Sequence, residues 1–253
     1  MPAALVTGAS RRAGIAAAVV TALEREGWSV ATTGWRAYDA SGPWGSQPHE
    51  AEEIGRGRFV EADLTDPDAP AHVLNAAEAV VGSITALVVA HTESRAGGVL
   101  ETDAAAFDRH LAVNARSALL LVGEFARRFR GARGSGRVVA FTSDALHGEV
   151  AYGASKAALE RIVIAAAAEL GPLGVTVNAV NPGPTDTGWI SAELRQRFEQ
   201  ATPLGRVGQP EDAAELVAFL CSARAGWITG QVIASDGGWS VGPAVPGART
   251  PLE

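Results

Sequence analysis

The chain has 253 residues, 47% of them apolar, and a formal net charge of −7. That length buries a full core as one domain, and the acidic balance argues against nucleic acid or an anionic membrane as partner. A single cysteine, Cys221, excludes a disulfide framework and a cysteine-based metal site, and it falls in an apolar helical pattern that marks a core position. No apolar run reaches the ~18 residues that span a bilayer, and no basic-then-apolar leader opens the sequence, so a cytoplasmic protein without a resident metal is expected.

Residues 3–7 are a short apolar strand, followed by TGASRRAGIAAAVV, a glycine-containing turn and an amphipathic helix. This is the opening of a dinucleotide-binding unit. Gly8 permits a tight turn, and Gly14 and Ile15 open a helix whose free N–H groups suit a pyrophosphate. The glycine spacing admits two alignments. Either Arg12 replaces a middle glycine, or Arg12 and Ala13 are inserted before Gly14; the insertion is preferred because GIAAAV then sits at the helix start. A second strand, 29–33, ends at Gly34 and Trp35, where a unit that prefers NAD carries an acid. Arg36 follows, with Arg11 and Arg12 in the first turn, and arginines there suit a 2′-phosphate. Asp39 comes late for a ribose ligand, so NADP(H) is expected over NAD(H).

Residues 39–57, rich in Gly, Pro and Ser, read as a long functional or mobile loop with a short helical turn at its end and Trp44 as an anchor. A third strand, 58–63, brings Asp63 and Leu64 to the end of the sheet where ligands bind. A helix with acids in its first turn (66–82) and a fourth strand (85–90) follow. A long helix, 103–130, carries Asn114, and a fifth strand, 137–142, leads to Ser143.

Tyr152-Gly153-Ala154-Ser155-Lys156 comes next, at the head of an alanine-rich helix. Helical spacing puts the phenol and the ammonium one turn apart on one face. A free tyrosine has a pKa of about 10, and a neighbouring cation lowers it by favouring the phenolate. Such a pair can exchange a proton with an oxygen that is being reduced or oxidised. Lys156 is the only lysine in the chain, every other cation being arginine, and Tyr152 is one of two tyrosines. An ammonium is the compact, tunable cation of the two. After a strand at 175–180 come NPGPTDTGW, a polar helix-prone segment (189–208), a helix (211–223), a last strand (231–235) and a Gly/Pro-rich tail from about 241. Strands alternating with helices imply one α/β domain over 1–253: a Rossmann-type, doubly wound parallel sheet of about seven strands with helices on both faces.

TGASR, ADL, VNARSALL, YGASKAAL, VNAVNPGPTDT, PLGRVGQPED and ITGQVIASDGG stand in the order of the short-chain dehydrogenase/reductase family, which the chain resembles over nearly its whole length. It looks closest to members described as 3-oxoacyl-[acyl-carrier-protein] reductases. The resemblance implies that Tyr152 is the general acid/base and that Lys156 lowers its pKa and binds the nicotinamide ribose. It makes Ser143 the group that polarises the substrate carbonyl, and Asn114 a support for a water-linked relay to Lys156. Cofactor contacts fall by resemblance on Gly8, Ser10, Arg11, Arg12, Gly14, Ile15, Arg36, Asp63, Leu64, Ala90, Tyr152, Lys156, Pro182, Gly183, Thr185 and Thr187. A substrate lid near 184–208, starting at Trp189, and a homodimer or homotetramer packed through the Tyr152 helix and the last strand are implied as well.

The chain departs from the family pattern at the glycine turn and at two further places. Where the family has NNAG, it has Val89-Ala90-His91-Thr92, so His91 either meets a phosphate, ribose or substrate, or is a tolerated loop residue, the preferred reading. Ser143 and Tyr152 are only nine positions apart, so either Ser143 still reaches the site or His147 assists. The expected activity is NADP(H)-dependent reduction of a ketone to a secondary alcohol, the substrate being a small carbonyl compound, a 3-oxoacyl thioester linked to a carrier protein or CoA, or a polyketide-like intermediate. The alternative is a relative without redox turnover, acting as a cofactor-binding regulatory or structural protein, a cyclase or an epimerase.

Overall fold

The computed structural model describes residues 1–42, 47, 49–145 and 148–242. The expected anchor Trp44, the candidate His147 and the tail beyond 242 lie outside the described residues.

Seven strands form one parallel sheet: β1 (Ala3–Thr7), β2 (Ser29–Gly34), β3 (Phe59–Glu61), β4 (Ala86–Val89), β5 (Gly136–Phe141), β6 (Val175–Asn181) and β7 (Val232–Ala234), in the order β3-β2-β1-β4-β5-β6-β7. The expected sheet is therefore present. Its central strands are continuous apolar runs because both faces are covered, and successive side chains serve opposite sides. Leu5, Leu87, Val138 and Val177 enter one core with Leu74, Phe125, Leu159 and Val163. Val6, Val88, Val139 and Val180 enter the other with Val19, Leu23, Val217 and Leu220. Cys221 is buried in that second core.

The order reverses between β1 and β4. At such a switch point the loops beyond the strand ends diverge and leave a crevice, the usual ligand site of an open α/β sheet. Around it stand α1 (Ile15–Arg25), α2 (Arg36–Ser41), α3 (Glu50–Gly55), α4 (Ala69–Val81), α5 (Ala104–His110), α6 (Ser117–Arg128), α7 (Val150–Leu170), α8 (Ala192–Ala201) and α9 (Pro210–Cys221).

Two features differ from the sequence reading. The stretch expected as a long loop holds α2 near its beginning as well as α3 near its end. The long helix expected over 103–130 is divided: between α5 and α6 the residues Leu111–Arg116 widen into a π-helical segment that contains Asn114. Such widenings displace side chains from regular helical register and occur at functional sites.

Candidate active site

The crevice begins at the glycine turn. Gly8 has φ +77°, and a Cβ there would lie 2.7 Å from both N and Cα of His91, so only glycine fits. Gly14 is the extended N-cap of α1, and a turn closed by its N–H on the Arg11 carbonyl (3.1 Å) leaves Arg12 and Ala13 exposed. This matches the insertion alignment. Among the described residues no side chain caps the first N–H groups of α1. An uncapped helix N-terminus behind a positive-φ glycine, at the switch point of the sheet, fits the pyrophosphate of a dinucleotide.

Every arginine expected to select a 2′-phosphate meets a carboxylate. Arg11 Nε lies 3.4 Å from Asp39 Oδ1, and its Nη1 donates to the Thr187 carbonyl at 3.1 Å. Arg12 pairs with Glu53. Arg36 is bonded through its backbone N–H (2.8 Å) and its Nε to Glu61, has Glu52 at 3.6 Å, and stacks on Phe59. Asp39, which sequence position alone set aside, is brought back to the glycine turn by α2, where its carboxylate accepts a bond from Ser10 Oγ. Both residues are buried. Burial raises the Asp39 pKa, against the opposing pull of Ser10 and Arg11. One residue earlier, the Tyr38 hydroxyl accepts from Ser94 N–H (2.9 Å) and donates to the Ser94 carbonyl (3.4 Å), tying α2 to the segment that follows β4.

In that segment the backbone N–H groups of Ala90 and His91 donate to Thr7 Oγ1 at 3.0 and 3.3 Å. The His91 ring turns inward. Its Nε2 is 3.0 Å from the Val113 carbonyl and 2.7 Å from Ser117 Oγ, and its Nδ1 is 2.7 Å from Thr7 Oγ1. A carbonyl only accepts, so Nε2 carries the hydrogen and Nδ1 accepts from Thr7. Burial, and then the charge of Lys156, hold its pKa down to about 3. His91 is thus a neutral core residue that braces β1 against the π segment, rather than a group aimed at phosphate or substrate.

Tyr152, Ser143, Asn114 and Lys156 come together. The Ser143 and Thr92 side chains lie near enough to the Tyr152 phenol to favour its ionised form. Ser143 is therefore near the tyrosine despite the short spacing, and its Oγ accepts from the Ala145 N–H at 3.2 Å. Asn114 Oδ1 accepts from Glu93 N–H (2.7 Å) and Thr92 Oγ1 (3.2 Å). Its Nδ2 donates to the Glu93 carbonyl (2.9 Å) and to Ser155 Oγ (2.8 Å), and Ser155 in turn donates to the Tyr152 carbonyl (2.7 Å). Lys156 is 2% exposed, and its Nζ donates to the Phe141 carbonyl at 2.9 Å. No bond joins Asn114 to Lys156 directly among those the structure gives them.

The expected lowering of the tyrosine pKa is not what this arrangement produces. Burial pushes Tyr152 up to about 12, outweighing the opposing pull of the nearby Ser143 and Thr92 side chains, with Glu149 and Tyr38 adding to the rise. Burial also brings Lys156 down to about 7. At neutral pH the phenol is protonated, and its raised pKa makes it a weaker proton donor than a free tyrosine.

The remaining predicted contacts line the same end of the sheet. Asp63 accepts from Thr65 N–H (2.9 Å), and Leu64 is buried. Gly183 takes φ +59°, and Thr185 Oγ1 reaches the Pro182 and Gly183 carbonyls at 3.2 Å each. Trp189 donates its indole N–H to the Thr185 carbonyl (3.1 Å) and meets Phe198 edge-on, which in turn meets Trp239. Sequence reasoning missed Thr92, Glu93 and Ser155. Glu93 is fully buried between Arg95 Nε (2.8 Å) and Arg109 Nε (2.9 Å), and its only sequence signal is an acid just after an apolar strand. Among the described residues no cluster of metal-ligating side chains occurs, and no helix is long and apolar enough to cross a membrane.

Comparison with known proteins bears on this site. Residues 8–240 match a family model described as enoyl-(acyl carrier protein) reductase. YjdA of Bacillus subtilis (strain 168), described as an uncharacterized oxidoreductase, is 39% identical over 244 residues, covering 93% of this chain and 96% of that protein. A short-chain dehydrogenase/reductase from Serratia marcescens BCRC 10948 superimposes with a TM-score of 0.82 at 31% identity, over 94% of this chain and 98% of that one. BdcA, solved in complex with NADPH, gives a TM-score of 0.78 at 30% identity, over 92% of each chain.

Proposed function

The chain belongs to the short-chain dehydrogenase/reductase family of oxidoreductases, and from that footing we propose that it reduces a ketone to a secondary alcohol with NADP(H). The observation that carries this reading is the buried Tyr152 phenol, with Ser143 nearby and Lys156 Nζ 5.7 Å from the centre of its ring, one helical turn away. A bound nicotinamide supplies the hydride. Tyr152 gives its proton to the carbonyl oxygen as negative charge develops there, and the Ser143 hydroxyl donates a second hydrogen bond to the same oxygen. One hydride and one proton convert the ketone to the alcohol, and the tyrosine is left as phenolate until it is reprotonated. Asn114 and Ser155 hold the head of α7, and so fix the phenol relative to the crevice.

The NADP(H) preference draws support from Arg11, Arg12 and Arg36 around the glycine turn and from the NADPH bound to BdcA. The substrate is a small ketone or a 3-oxoacyl or polyketide-like group on a carrier protein or CoA, admitted beside Trp189 and Phe198 of the lid region and Trp239, which packs against them. Homodimer formation through α7 is supported by the exposed Ile164 on that helix, and a tetramer by Val232 on the edge strand and Trp227, 98% exposed. Cytoplasmic residence completes the proposal. The reading without redox turnover has less support, because the His91 ring turns inward, away from the crevice, and Ser143 remains near the tyrosine. Substrate-dependent oxidation of NADPH across a panel of ketones and 3-oxoacyl thioesters tests the assignment; no turnover with any of them, in protein that binds NADPH, would remove it.

A further inference from the structure

Tyr38 and Asp39 are neighbours on α2, yet they hold opposite sides of the crevice. Asp39 accepts from Ser10 Oγ, in the glycine turn that follows β1, and lies 3.4 Å from Arg11 Nε. The Tyr38 hydroxyl exchanges two hydrogen bonds with the Ser94 backbone, in the segment that follows β4, at 2.9 and 3.4 Å. Strands β1 and β4 flank the point where the strand order reverses, so α2 crosses the crevice from one wall to the other. Gly34, the last residue of β2, lets Ser10 come within reach, since a Cβ there would lie 2.6 Å from Ser10 Oγ.

Polar contacts hold this crossing in place. Asp39 is the one buried residue of α2, and Arg36, Ala37, Ala40 and Ser41 are exposed. Among the described residues none of the α2 side chains joins either apolar core. An element with so little buried apolar surface opens at low free energy. At its N-terminal end Trp35 stacks with the Arg109 guanidinium, 5.4 Å from the ring centre, which keeps that end attached when the rest moves. The Asp39 carboxylate is itself an anion seated on Ser10 and Arg11, donors that a pyrophosphate would use. A serine hydroxyl has one hydrogen to give, so carboxylate and phosphate compete for it.

We propose that α2 is a strap across the dinucleotide crevice, latched to Ser10 by Asp39 and to Ser94 by Tyr38, and that it unlatches before the cofactor enters. The inference rests on the reading of the crevice as an NADP(H) site. A latched population lowers the apparent affinity and association rate in proportion to the fraction that is open, whichever dinucleotide is offered. That separates the strap from the arginines, whose effect depends on a 2′-phosphate.

The test is stopped-flow mixing of the full-length protein with NADPH or NADH, followed by nicotinamide emission. Tyr38→Phe keeps the ring and removes the hydroxyl that reaches Ser94. It should raise the association rate of both cofactors by the same factor, roughly threefold or more. Hydrogen exchange at residues 36–41 of the cofactor-free protein should quicken with it, while the central strands keep their protection. Asp39→Asn, which loosens the other latch, should act in the same direction, and it decides the matter should the phenylalanine variant not fold. Association that stays within about twofold of wild type, or slows, overturns the proposal, as does a gain confined to NADPH. Failure of the cofactor reading shows separately, as no binding of either dinucleotide by wild type or variants, and the strap then falls with it.

Discussion

Lys156 Nζ lies 5.7 Å from the centre of the Tyr152 ring, yet its hydrogen bond goes to the Phe141 carbonyl rather than to the phenol oxygen. The lysine therefore anchors the head of α7 to the end of β5. The Ser143 and Thr92 side chains are the neighbours that favour the ionised phenol. Tyr152→Phe removes the proton while keeping the ring, so turnover should fall by at least ~10²-fold. NADPH affinity should stay within about threefold, as read by titration calorimetry. Unchanged turnover would take Tyr152 out of its role.

The buried lysine also leaves a signature in stability. Its pKa is about 7 when folded, against an ordinary 10.5. Between those values the unfolded chain binds more protons than the folded one, so stability should rise with pH across that window. Lys156→Met should flatten the rise, measured as melting temperature from pH 7 to about 9.5. The same variant should lose most turnover. A wild-type melting curve that is flat or falling across the window would mean that the amine is not desolvated as the structure places it.

Much of this was legible from the chain, and the parts that were not share a cause. The central strands could be read because a strand buried on both faces is apolar throughout, as at Ala3–Thr7. Gly8 could be read because a backbone approach this close tolerates no side chain. The Tyr152–Lys156 spacing is local, and any helix would have brought the two together. By contrast, α2 has six residues and no apolar period of its own. Its visible anchors are Asp39 on Ser10 and Tyr38 on Ser94, 29 and 56 positions away. The direction of the His91 ring likewise depends on Thr7 and Ser117, 84 and 26 positions away. Side chains whose partners are distant in sequence announce neither their direction nor their role.

His91 predicts an acid limit to stability. Its pKa is about 3 when folded, against an ordinary 6.5, so between those values the unfolded chain again takes up more protons. The stability it contributes is complete above pH 6.5 and is lost as pH falls toward 3. His91→Gln, which retains hydrogen-bonding capacity but does not titrate, should lose less stability between pH 6.5 and 4 than wild type, even if it starts lower at neutral pH. Parallel denaturant melts of the two proteins decide it. Equal acid sensitivity would assign the loss to other groups.

The ion pairs around the glycine turn make cofactor choice a competition between carboxylates and phosphate. Arg36 must leave Glu61 and Glu52, in whole or in part, to serve a 2′-phosphate, and its stacking on Phe59 keeps it close while it does so. Arg36→Ala should therefore weaken NADPH at least tenfold more than NADH. Glu61→Gln, which leaves the arginine in place without its counter-charge, should strengthen NADPH and leave NADH nearly unchanged. Asp39 works at the other side of the turn, where it holds Ser10 and Arg11. Asp39→Asn should strengthen both cofactors by freeing donors that an anionic dinucleotide can use. If Asp39→Asn instead weakens NADH selectively, the carboxylate is a ribose ligand and the preference runs toward NAD. Equal losses of NADPH and NADH in Arg36→Ala would remove Arg36 from cofactor selection and turn attention to Arg11, which already bridges Asp39 and the Thr187 carbonyl.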